Sequence, residues 1–492
     1  MNHSTVWLII AIGVLFWGGV VVSFVRTPRR AAQLGLFFGG TAMAATLLAS
    51  IIFYAQSTAS RSQPNEIAPW LHLAVDEVNA ARLPIIVLLE LLTSLWTART
   101  KQARFSSGWS LMGASVRLAL FGSTTPWALI GFWALEAVFP FLELTRRKKS
   151  TRVYLLYTSL SLGLLLAGQS LVDAASSSQT ANWGYGLLLA AILIRCGTFP
   201  FHSWVVDLVS ECSFGGALLY MLPMSGLYAA MRLVVPHAPH ELLSVGCYFS
   251  LVTAVYGAGL ALVQTEVRRY FAFTLISQAA LVLVGLQMGT RLGLTAALSE
   301  GLSVSVALGG YGLTMRALEA RFEHFQFADF RGLYSQAPGL AVCLLVTGLA
   351  GVGFPGTLGF ISADLLVEGA LDAGLLTGLI VVLAAALNGI AVLRVYFQIF
   401  AGPPHSSTVS LELGVRERAT VLTLVVLIFL GGLFPQPWVK SQSWATDKIT
   451  EHWPEPPEKD GPDEKGPHGG SVDDEQPGER ERLLPPVPEV QD

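Results

Sequence analysis

The sequence predicts an all-α integral membrane protein of about fourteen transmembrane helices, with two inverted five-helix repeats that each contain a broken helix. Three observations carry that expectation. Of 492 residues, 52% are hydrophobic and 13% charged, against roughly a quarter charged in soluble globular chains. Apolar runs near the ~20-residue length that crosses a bilayer recur from end to end. The runs are continuous, which argues against a strand barrel, where lipid-facing and lumen-facing residues alternate.

Taken in order, residues 1–107 hold the N-terminal spans, near 5–25, 34–54 and 82–98. "MNHSTVWLII" lacks the basic flank of a signal peptide, so the first run reads as a retained span. Residues 108–402 form a core of ten spans in two sets, 108–235 and 242–402. The first set falls near 108–122, 124–144, 153–175, 184–212 and 215–235. The second falls near 242–264, 270–289, 292–316, 337–371 and 374–402. A last span lies within 403–438, near 418–436. The stretch 439–492 is rich in Pro, Gly and acid, buries too little apolar surface to offset its ordering entropy, and is expected to be disordered.

Orientation follows from the loops. "RTPRR" (26–30), "RTKQAR" (99–104), "RRKKSTR" (146–152), "EVRR" (266–269) and the stretch Arg316–Arg331 all follow odd-numbered spans. Basic loops stay cytoplasmic, so both termini are expected on the other side of a cell inner membrane.

Two spans, 184–212 and 337–371, are long and interrupted, by "IRCGTFPFHSW" and "GVGFPGTLGFISADLL". Each is the fourth span of its set, and the two sets start from opposite sides. Gly/Pro-interrupted spans at corresponding places point to an inverted repeat with its pathway at the breaks. A break at Pro200 or Pro355 frees backbone groups that lipid cannot satisfy, so it belongs inside protein or beside water. Deep charges are costly in the same way. Arg117, Glu136, Arg195, Glu300 and Asp364 each cost ~2.5–3.5 kcal/mol at a helix centre unless partnered or wet. Glu136 is a candidate partner for Arg117 or Arg195.

The ordered motifs resemble one family: the antiporter-like membrane subunits of respiratory complex I, membrane-bound hydrogenases and Mrp-type sodium/proton antiporters. Arg195, Pro200, His202, Trp204 and Asp207 stand where the family's first broken helix has Lys, then Pro-Phe/Leu-His-x-Trp, then Asp. "QTEVRRYFAFTLISQAAL" (264–281), "DFRGLYSQAP" (329–338), "GFPGTLGFISADLL" and Arg394 with "FQIFAG" resemble further family segments, and Glu136 matches the glutamate that pairs with the broken-helix lysine. The resemblance covers about Asp76 to Gly402.

What the resemblance implies is a membrane subunit of a proton- or sodium-translocating complex, coupled to a partner's chemistry, with Glu136, Arg195, His202, Asp207, Glu300 and Asp364 along the ion path. The family's lysine relay is absent as such. Its members are Lys-to-Arg at 195, Met224 and Ala363, and the usual histidine of span 292–316 is replaced by Glu300. Arginine stays charged near neutral pH and cannot hand on a proton. Two alternatives follow: a non-conducting scaffold paralogue, or the membrane partner of a soluble zinc enzyme in inorganic-carbon uptake, since relatives of the family pair with such a protein.

The residues themselves show no nucleotide loop, haem pattern or cysteine cluster. Cys196, Cys212, Cys247 and Cys343 are scattered through apolar segments and read as packers rather than metal ligands. No cofactor is expected in this chain, and its net charge of −3 does not suggest a nucleic-acid partner. Expected partners are the bilayer, protons or sodium ions, and other membrane subunits or a soluble coupling protein.

Overall fold

A computed structural model of the chain describes residues 3–56, 72–97, 106–222, 224–321, 327, 332–403, 414–451 and 453. The basic loop at 99–104, part of the stretch 316–331, and residues 454–492 of the acidic tail lie outside these. Every helix named below belongs to the unit Met1–His452.

All regular structure among the described residues is helical, apart from one isolated bridge between Leu73 and Ser123. The N-terminal group is α1 (His3–Ser23), α2 (Pro28–Ala55) and α3 (Arg82–Leu95). The first set continues with α4 (Ser107–Gly122), α5 (Pro126–Arg146), α6 (Arg152–Asp173), α7 (Ser178–Cys196), α8 (Ser203–Glu211), α9 (Phe214–Met221) and α10 (Ser225–Ala229), which runs on as a π-helical turn, Ala230–Val234. The second set is α11 (His240–Val263), α12 (Val267–Gln287), α13 (Arg291–Arg321), α14 (Pro338–Ala350), α15 (Leu358–Ala373) and α16 (Leu375–Phe400). Two helices follow, α17 (Val415–Leu433) and α18 (Gln436–Ile449).

Local chemistry fixes several of these ends. Thr125, Ser177 and Ser213 are N-caps whose side chains accept N–H groups of the first turn, and Pro126 opens α5 where no donor is needed. Nine described helices, counting Phe214–Val234 as one, are long and apolar enough to cross a bilayer; the bent pair α17–α18 makes a tenth. The chain is a multi-pass membrane protein. Four expected spans fall short of that measure: 82–98 and 108–122 appear as helices of 14 and 16 residues, and 184–212 and 337–371 are divided into α7/α8 and α14/α15.

The layering follows burial. α12 is buried along its whole apolar stretch and α13 along most of its length, so these two form the interior. α11 and α16 pack outside them and leave Val245, Tyr248, Val252, Leu376, Leu379 and Leu383 exposed, apolar surface that suits lipid. All four cysteines are buried and free.

Two expectations are corrected. Residues 439–449 of the stretch expected to be disordered are structured: Gln436–Ile449 is helical, bent by 75° from α17 and packed on α13. Its Ser441, Gln442, Ala445 and Thr446 are buried, with the Thr446 hydroxyl 2.8 Å from that of Thr295. Span 215–235 is not one continuous helix. It breaks between Met221 and Ser225, with Met224 in the left-handed region at φ 55°.

Candidate ion pathway at the broken helices

The first break is held by its own polar groups. α7 ends at Gly197, φ +71°, a conformation that favours glycine; a Cβ there would also lie 2.6 Å from Val205 Cγ2. The Thr198 hydroxyl and N–H donate to Leu193 O at 2.9 and 3.0 Å. The Trp204 indole N–H donates to Ile194 O at 2.9 Å, and Thr253 Oγ1 accepts the Phe199 N–H at 3.0 Å. Carbonyls and amides freed by the break are thereby satisfied within the protein, as a membrane interior demands. The Phe199–Pro200 peptide is cis.

Arg195 sits one residue before the end of α7 and is buried. Its Nη2 lies 3.5 Å from Glu136 Oε2 on α5 and donates to Ser225 Oγ at 3.0 Å. Its guanidinium carbon is 4.1 Å from the centre of the Tyr220 ring, with Trp204 and Trp133 at 5.5 and 5.7 Å. Three aromatic faces and one carboxylate therefore hold a charge that lipid would expel.

The row of charges continues away from the break. Arg117 on α4 is within Coulombic reach of Glu136, and its Nη2 lies 3.7 Å from Glu90 Oε2 on α3. Glu90, Arg117, Glu136 and Arg195, one from each of four helices and alternating in sign, are all at most 6% exposed. Neither oxygen of Glu136, nor Nε of Arg117 or Arg195, has a hydrogen bond among the described residues, and the Glu90 carboxylate faces the hydroxyls of Ser94 and Ser110. Buried ions this incompletely satisfied are groups that a bound water would stabilise.

A cavity of about 560 Å³ reaches this row from the surface. One stripe of α4 lines it, Ser106, Trp109, Ser110, Gly113 and Arg117, facing Glu143, Arg146 and Arg147 near the end of α5. Arg146 and Arg147 are exposed, while Arg117 and Tyr220 at the other end are buried. The cavity therefore runs from a basic rim to the ion-pair row.

Glu300 on α13 is equally buried but has a different setting. The Ser362 hydroxyl donates to Glu300 Oε2 at 2.5 Å and the Ser303 hydroxyl at 3.1 Å; no ion pair to it is present among the described residues. Ser362 brings in α15, immediately after the second break. There Gly353, φ +76°, lets the turn pass the Ala363 side chain, where a Cβ on residue 353 would lie 2.6 Å from Ala363 Cβ. The Gln278 amide on α12 donates to Gly351 O at 2.8 Å.

The predicted residues thus separate. Glu136 and Arg195 come together, and Glu300 joins the second break through Ser362. Asp364, next to Ala363, is exposed on the other side of α15 from Ser362, and Asp207 is exposed on α8; neither meets the buried row. His202 is half-buried against Phe199, Tyr256 and Phe273, and Pro355 lies exposed in the second break. The deep charge Arg117 pairs with Glu90 rather than directly with Glu136. Glu90 went unmarked in the sequence, although "IIVLLELLTSLW" carries the same signal as the Glu136 segment: one carboxylate in an apolar run.

Comparison with known proteins agrees with this architecture. Residues 145–388 match the family described as NADH:quinone oxidoreductase/Mrp antiporter, TM. NADH-quinone oxidoreductase subunit N of Halorhodospira halophila is 26% identical over 88% of this chain and 95% of its own length. Subunit M of Escherichia coli K12 is 23% identical over 90% and 98%. In fold, a chain of respiratory complex I from Thermus thermophilus superposes with TM-score 0.80 at 21% identity, covering 90% of this chain and 99% of its own. A chain of the Mrp complex from Dietzia sp. DQ12-45-1b gives 0.81 at 19%, covering 91% and 98%. The chain belongs to the antiporter-like family of membrane subunits that NADH:quinone oxidoreductases and Mrp antiporters share.

Proposed function

We propose that this chain is a membrane subunit of a proton- or sodium-translocating complex of the cell inner membrane, moving charge through buried ionisable groups at its broken helices while partner subunits do the chemistry. The observation that carries this reading is the buried alternating row Glu90–Arg117–Glu136–Arg195, which ends at the first break and is reached by a cavity from the basic rim. Purely structural ion pairs in a membrane protein gain little over apolar packing, and this row is both unsaturated and adjacent to freed backbone.

Arg195 serves as a fixed countercharge, since a guanidinium does not release its proton. Glu136 and Glu300 are the carboxylates of the path, with His202 at the rim of the first break. In the same reading the chain has fourteen spans, counting each divided pair as one, arranged as two inverted repeats with both termini on the extracytoplasmic side. The four short or divided helices added to the ten apolar spans support that number. Other membrane subunits are the expected partners, as in the complexes that hold its relatives.

The test is purification from native membranes in mild detergent, identification of co-purifying chains, and ion flux of that assembly after reconstitution. Flux lost in Glu136→Gln and in Glu300→Gln, with assembly intact, is the expected result. Unchanged flux in the double variant would sink the relay. The second reading, a non-conducting scaffold, is favoured by apolar residues at two usual lysine positions, buried Met224 and half-buried Ala363; it predicts an intact assembly with no flux through this chain.

A further inference from the structure

Between the Arg195 cluster and the opposite face the polar path is interrupted at two side chains, Met224 and Leu227, which both line the cavities on either side. Met224 is 8% exposed and borders two separate cavities. One is also lined by Arg195, Met221 and Ser225, the other by Arg82, Tyr228 and Ser305. Each offers about 20 Å³ to the centre of a water molecule. A water needs roughly 10–15 Å³ of such space and two to four polar partners, so each cavity suits one water. From the second cavity polar groups lead outward. Tyr228 Oη accepts Arg232 Nε–H at 2.9 Å, and Arg232 Nη2 lies 2.5 Å from Asp76 Oδ2, both partly exposed.

We infer that Met224 is a gate: its side chain closes the step between two single-water sites, and its swing joins the buried ion-pair row to the face that carries Asp76 and Arg232. The inference rests on the proposed translocation and names the residue that controls it. Methionine is unbranched and adapts to irregular space. Here it stands at a left-handed joint between α9 and α10, outside both helices, with open volume on either side. The carbonyl freed at this joint, Leu222 O, is held by the Ser305 hydroxyl at 2.7 Å, which anchors the chain just before Met224.

Two measurements on the full chain test it. Hydroxyl-radical footprinting in nanodiscs reads water beside each methionine as sulfoxide formation. Met224 is expected to label several-fold faster than Met315, which is fully buried. Equal protection means both cavities are dry and overturns the gate, whether or not the protein translocates ions. In proteoliposomes, a gate open one-tenth of the time or less gives at least about a tenfold rise in proton leak when removed. Met224→Ala should show that rise and Met224→Leu should not; an Ala variant as tight as the Leu variant would also overturn the inference. Failure of the translocation reading appears elsewhere, as flux indifferent to Glu136→Gln and Glu300→Gln.

Discussion

Arg195 and Glu136 show what a buried pair requires of its members. Neither ion is accessible to bulk water, and each is the other's nearest opposite charge. Removing one leaves the other uncompensated, a loss of about 3–5 kcal/mol for buried pairs. Arg195→Met should therefore lower stability by that order, read as the melting midpoint of the detergent-solubilised chain. Adding Glu136→Gln should recover most of the loss. If the single and double variants melted alike, the pair would not be coupled. The pair was legible in the sequence as two charges deep in apolar runs. Its partner choice was not legible in the residues alone: Arg117 and Arg195 were both candidates, the resemblance pointed to Arg195, and the fold settles it by bringing Glu90 of α3 beside Arg117. The exposure of Asp364 was also hidden, since adjacent helical positions face different directions and only the packing of α15 decides which one is inside.

Among the elements, the broken helices were the clearest part of the sequence, because Gly and Pro in an apolar run have few other uses. "CGTFPF" and "GVGFPG" both mark places where helices end in the structure. The third break escaped notice because "MLPMSG" offers one proline in an otherwise continuous run, and tertiary contacts such as Ser305 with Leu222 O make the interruption tolerable. The second break yields its own test. Gly353 combines a left-handed φ with a close approach to Ala363, so Gly353→Val should cost about 1–3 kcal/mol through strain and overpacking. A lower melting midpoint and reduced yield of assembled protein are the expected readings; a parent-like variant would show that the turn has room the structure lacks.

For the whole molecule, the expected number and direction of crossings rest on loop charge and run length, while helix lengths and the α17–α18 bend follow only from packing. The orientation has a direct check. The four native cysteines are buried, so an introduced one reports alone. Lys148→Cys, in the basic loop after α5, should react with a membrane-impermeant maleimide in inverted vesicles and resist it in intact cells whose outer barrier has been permeabilised. Ser176→Cys, in the loop between α6 and α7, should do the reverse. The same sidedness at both positions would refute the assigned crossings.

The alternating row has a mechanical meaning as well. Its four charges ride on four different helices, α3, α4, α5 and α7, and Coulomb energy at these separations changes appreciably within an ångström. A slide or tilt of α5 against its neighbours shortens one electrostatic spring while stretching another. In the proposed complex the row would act as a strain gauge: a push applied by a neighbouring subunit at the end of any one of these helices would become a change in the field at Glu136, with no helix needing to unfold to carry the message.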